Sequence, residues 1–134
     1  MTHQQEGSRT ADPAQCEDWT RGVRGLLIWG VPIAALLIGG LLPEPYLVVI
    51  WPAALSFMGV ACLLNARRCG RVHCYVTGPF FLILAAVALL HGLKVVYLGK
   101  DGWNILALIL LVGSIVLCFG TERVFGRYRR ATGP

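Results

Sequence analysis

The sequence predicts an all-α integral membrane protein, a bundle of four transmembrane helices arranged as two antiparallel hairpins. Of its 134 residues, 56% are hydrophobic and 14% are charged, whereas a soluble domain carries about 25% charged residues. The apolar residues also gather into four long runs. Each run approaches the roughly 20 residues that cross about 30 Å of hydrocarbon as a helix. Only helices and closed barrels satisfy every backbone group in lipid, and runs this long and uniform are helices. A chain of this length makes one domain.

The first run is GLLIWGVPIAALLIGGLL, Gly25 to Leu42, closed by the turn sequence Pro43-Glu44-Pro45. The second is YLVVIWPAALSFMGVACLL, Tyr46 to Leu64. The third, PFFLILAAVALLHGLKVVYL, covers Pro79 to Leu98, and a polar GKDG turn follows it. The fourth is WNILALILLVGSIVLCFG, Trp103 to Gly120. Extended to their polar flanks, the helices are expected over 25–42, 46–66, 76–98 and 103–125. Between the second and third lies the basic stretch NARRCGRVHCYVTGPFF, Asn65 to Phe81, expected to be the longest connection. Pro32 and Pro52 fall inside runs and predict kinks. Gly39, Gly40, Gly59 and Gly113 allow close helix packing.

Three segments follow. Residues 1–24 form a polar, partly disordered cytoplasmic lead, 25–120 the four-helix membrane domain, and 121–134 a basic cytoplasmic tail. The polar start and the lack of a small-residue cleavage site predict that the first run stays as an anchor.

Charge sets the orientation. Arg9, Arg21, Arg24, Arg67, Arg68, Arg71, Arg123, Arg127, Arg129 and Arg130 all fall on one side, against Lys94 and Lys100 on the other. Loops rich in Lys and Arg stay in the cytoplasm, so both termini and the central connection are expected there, in a bacterial inner membrane. The net charge of +5 is thereby assigned to topology and to anionic headgroups rather than to nucleic acid. Arg67, Arg68 and Arg71, with Arg123, Arg127, Arg129 and Arg130, are the expected lipid contacts.

The same side collects all five cysteines: Cys16, Cys62, Cys69, Cys74 and Cys118. The cytoplasm is reducing, so thiols are expected rather than disulfides. Arginines near Cys69 and Cys74 favour the thiolate, which is both metal ligand and nucleophile. His73 adds an imidazole. Such a set selects soft or borderline ions: Hg(II), Cu(I) or Zn(II). Cys69 and Cys74 are the expected primary ligands, with His73 supporting and Cys62 and Cys118 passing the ion on. The spacing CGRVHC is neither a zinc-finger pair nor a redox C-x-x-C. His91 and Lys94 share a face of the third helix. His91 is a candidate for a transport path, since an ionisable residue within the membrane is a functional candidate. Lys94 is expected to snorkel to the outer interface.

No Asp or Glu falls in the four apolar runs, and no phosphate loop, nucleophilic serine motif or H-E-x-x-H is present, so no enzyme is expected. With NARRCGRVHC as the local feature, the chain resembles the small inner-membrane proteins of bacterial mercury-resistance systems. That resemblance implies a compact helical protein that moves Hg(II) toward cytosolic thiols. The first helix here lacks the cysteines many of that family carry, which leaves the direction of transport open. Alternatives are an accessory subunit of a larger membrane complex, a homo-oligomer, or a thiol-redox protein cycling Cys69 and Cys74.

Overall fold

A computed structural model describes residues 22–125, which form four helices joined by three connections. These are α1 (Gly22–Leu41), α2 (Glu44–Cys69), α3 (Val72–Gly92) and α4 (Gly102–Phe125). All four are long and apolar enough to cross a membrane, and the all-α fold expected from the sequence is the fold observed. The lead containing Cys16, Arg9 and Arg21, and the tail residues Arg127, Arg129 and Arg130, lie outside the described residues. Within the expected tail, residues 121–125 continue α4.

The first turn is short because Pro43 ends α1 and opens α2. With φ −59° and ψ 154° it stands in extended backbone, and its carbonyl accepts from Tyr46 N–H at 3.0 Å. Glu44 in the first turn of α2 complements the positive end of the helix dipole.

The second turn corrects the sequence reading. The stretch around Cys69 and Cys74 holds a reversal as short as the first, not the longest connection. Only Gly70 and Arg71 separate α2 from α3. Gly70 takes the left-handed conformation, φ 66° and ψ 23°, and its N–H donates to the Ala66 carbonyl at 2.8 Å. A glycine in this conformation is a common helix stop. Cys69 therefore ends α2, while His73 and Cys74 occupy the first turn of α3.

The third turn runs from Leu93 to Asp101. α3 was expected to reach residue 98 but stops at Gly92. Lys94 takes a positive φ of 59°. Its N–H donates to the His91 carbonyl at 3.1 Å, and the Val95 N–H donates to the Leu90 carbonyl at 3.0 Å. This pair of bonds is the Schellman helix end, with lysine where glycine is usual. Lys94 is thus outside the helix and shares no helical face with His91. Its Nζ sits 2.6 Å from Glu44 Oε1 in an exposed ion pair, which closes the start of α2 against this turn.

The helices pack in chain order, α1 on α2, α2 on α3 and α3 on α4, with α2 and α3 central. The central seam is close because it is built on glycine. A Cβ at Gly59 would lie 2.9 Å from the Gly78 carbonyl oxygen and 2.8 Å from Leu82, distances that ordinary side chains do not tolerate. Small residues let backbones approach in this way where lipid supplies no hydrophobic drive between helices. Leu55, Met58, Phe81, Leu84 and Leu106 fill the core around the seam. Trp51 ties α2 to α1 by donating Nε1–H to the Leu36 carbonyl at 3.1 Å.

Candidate functional site

Cys62 and Cys74 come together where α2 and α3 cross beneath the Gly70 turn. They are 1% and 0% exposed, and the two sulfurs are near enough to interact with each other. The tight turn makes this pairing. It folds the last turns of α2 directly over the first turns of α3, so residues twelve apart in sequence face each other.

Neighbours at helical spacing complete the surroundings. Asn65, three residues after Cys62, shares its face and donates Nδ2–H to Cys74 Sγ at 3.7 Å. Thr77, three residues after Cys74, donates its hydroxyl to the His73 carbonyl at 2.8 Å. Its oxygen lies 3.5 Å from Cys62 Sγ. Because the threonine proton is already committed, that oxygen accepts and the Cys62 S–H donates. Cys74 receives a donor and Cys62 faces an acceptor. Two sulfurs of the same kind thereby sit in unequal surroundings.

His73 points toward α4, where Nδ1 stands 2.9 Å from Glu122 Oε1. The pair is close but not aligned as a hydrogen bond, since Nδ1 has no hydrogen-bond partner. It is an ion pair whenever the imidazole is protonated. Glu122 lies on α4, within the expected helical span 103–125, four residues after Cys118, but it was not among the expected site residues. Asn65 and Thr77 were also missed. Their signal was the i, i+3 spacing from the two cysteines, visible only once both cysteines are placed on helices.

The expected ligand set does not assemble whole. Cys69 is disulfide-bonded, and its partner is none of Cys62, Cys74 and Cys118, which are free thiols. In this state it cannot serve as a primary ligand with Cys74. Its place beside Cys74 is taken by Cys62. Cys118 is half-buried on α4 and lies at the same end of the bundle. Among the described residues, no group of three or more His, Cys, Asp or Glu side chains is placed to hold one metal ion.

His91 belongs to the other end of the molecule. It is 2% exposed and stacks edge-on to Trp103 at 5.3 Å, which in turn meets Trp51 at 5.7 Å. Its Nδ1 lies 3.2 Å from the Val96 carbonyl and 3.4 Å from the Leu98 N–H. One ring nitrogen serves only one of these at a time, and the shorter contact favours donation to Val96. His91 fastens the 93–101 turn to α3.

A cavity of about 650 Å³ lies between α1 and α4 with α2 and α3 as its floor. Its walls are largely apolar, including Trp29, Leu36, Trp51 and Phe81. At its end near the Gly70 turn it reaches Cys62, Arg71, His73, Thr77 and Cys118. Cys74 is not on its wall and stands behind Cys62.

No protein-family model, curated protein or solved structure matches this chain. The likeness to mercury-resistance proteins rests on the sequence features alone.

Proposed function

We propose that this protein binds a soft metal ion, Hg(II) first, at the Cys62–Cys74 pair and passes it across the membrane. The observation that supports this is a buried pair of thiols in contact at a helix crossing, with Asn65 donating to one sulfur. Thiolates favour soft ions. A site of two sulfurs suits Hg(II) or Cu(I), which are content with two ligands, better than Zn(II), which takes four in structural sites and three plus water in catalytic ones. Two thiolates also cancel the charge of Hg(II), so the loaded site stays neutral in a low-dielectric interior. Cys118, on the cavity wall, is the next sulfur available for ligand exchange.

The arginine asymmetry assigns the site to the cytoplasmic end. The disulfide at Cys69 argues the other way, because disulfides persist in oxidising compartments. We follow the charges. Orientation is fixed at insertion, whereas a disulfide at a helix end is reversible.

Isothermal titration of the full chain in detergent tests the proposal. Hg(II) binding is expected to be lost in Cys62→Ser and in Cys74→Ser and to persist in Cys69→Ser. Unchanged affinity in both of the first two variants would end the metal reading.

A further inference from the structure

We infer that the Cys62–Cys74 dithiol is also a redox centre, oxidised to a disulfide by a lipid-soluble quinone that occupies the cavity between α1 and α4. This rests on the geometry of the dithiol and the cavity, and not on metal binding.

The cavity has the size of a small-molecule site, since such pockets run from about 300 to 1,000 Å³. It holds about 650 Å³. It lies between the two flanking helices, so its access is from the bilayer and its occupant must partition there. Apolar walls from α1 and α4 suit an isoprenoid tail, and Trp29, Trp51 and Phe81 suit a flat ring. The polar end is rich in donors. Trp29 Nε1 borders the cavity and is buried with no hydrogen-bond partner, while His73 Nδ1, on the same wall, faces Glu122 Oε1 at 2.9 Å. A buried donor without an acceptor costs on the order of 1–3 kcal/mol. A ligand bringing carbonyl oxygens to this end would remove that cost. His73 is nine-tenths buried, and Arg71 supplies a cation on the same wall. A quinone carries two carbonyl oxygens, an apolar tail and capacity for two electrons. A phospholipid shares the tail and the oxygens but takes no electrons from a thiol.

The chemistry closes with the groups present. The Cys62 sulfur, on the cavity wall, adds to a ring carbon of the quinone. The Cys74 sulfur behind it attacks Cys62 Sγ. The S–S bond forms as the S–C bond breaks, and the electron pair passes into the ring. The two thiol protons end on the quinol oxygens. One dithiol is oxidised and one quinone is reduced.

The test uses the full chain, fully reduced, in detergent without oxygen, with a decyl-chain ubiquinone as the probe. Quinol is followed by absorbance, free thiols by alkylation, and bridges by peptide mass. One quinone reduced per chain, two thiols lost and a Cys62–Cys74 bridge are expected. Cys62→Ser should abolish turnover. Trp29→Phe should keep thiol content and folding while raising the half-saturating quinone concentration about fivefold, the loss of one hydrogen bond. A full thiol count after saturating quinone would overturn the inference, as would arylated cysteine without quinol, or lipid binding without oxidation. A chain that binds Hg(II) through Cys62 and Cys74 but ignores quinone loses this inference alone. A chain oxidised by quinone that binds no metal loses the proposed function alone.

Discussion

Thr77 sets the direction of the hydrogen bonds around the thiols, because its proton goes to the His73 carbonyl and its oxygen is left for Cys62. Thr77→Val keeps the shape and removes the acceptor. It should cost about 1 kcal/mol, read as a lower unfolding midpoint in detergent, and Thr77→Ser should restore most of it. Equal midpoints for the valine and serine variants would show that the hydroxyl does not matter. At this scale the sequence was informative about chemistry and poor about pairing. The gathering of sulfur, imidazole and arginine on one side was readable from residue positions. That Cys62 rather than Cys69 meets Cys74 was not, because it depends on a two-residue turn. Glu122 fell inside the expected fourth helix but was not read as part of the site, because its approach to His73 depends on how α4 packs against α3.

The existence of four helices was legible because length and hydropathy alone decide it. Their ends were legible less evenly: those of α1, α2 and α4 fall within about three residues of expectation, and those of α3 do not. α3 begins among polar residues, Val72-His73-Cys74, whose place is fixed by Gly70 and not by their own hydropathy. It ends before the apolar residues Val95, Val96 and Leu98, because a Schellman turn forms at Lys94, a residue type that gives no such signal. Gly70, by contrast, has a residue-specific task. At φ 66° a side chain is strained even though a Cβ there would meet nothing. Gly70→Ala should therefore destabilise by about 1 kcal/mol through the backbone alone. A loosened turn should also make Cys62 and Cys74 react faster with thiol reagents. Wild-type stability and reactivity in that variant would show that the turn does not hold the pair together.

For the whole molecule, the thiols, His73, Arg71 and Glu122 all sit at the end that carries the Gly70 turn, while Lys94, Lys100 and His91 mark the opposite end. If the arginine bias governs insertion, Lys100→Cys should be labelled by an impermeant reagent added outside intact cells, and Arg68→Cys should not. The reverse pattern would invert the topology and make the Cys69 disulfide the better guide. The central claim is narrower, that Cys62 and Cys74 form a two-sulfur site. It is tested most directly by X-ray absorption at the mercury edge on the full chain carrying one equivalent of Hg(II). The account predicts two sulfur neighbours and no nitrogen, unchanged in Cys69→Ser and in Cys118→Ser, and altered in Cys62→Ser and Cys74→Ser. A two-sulfur spectrum that survives both of those last substitutions would contradict it.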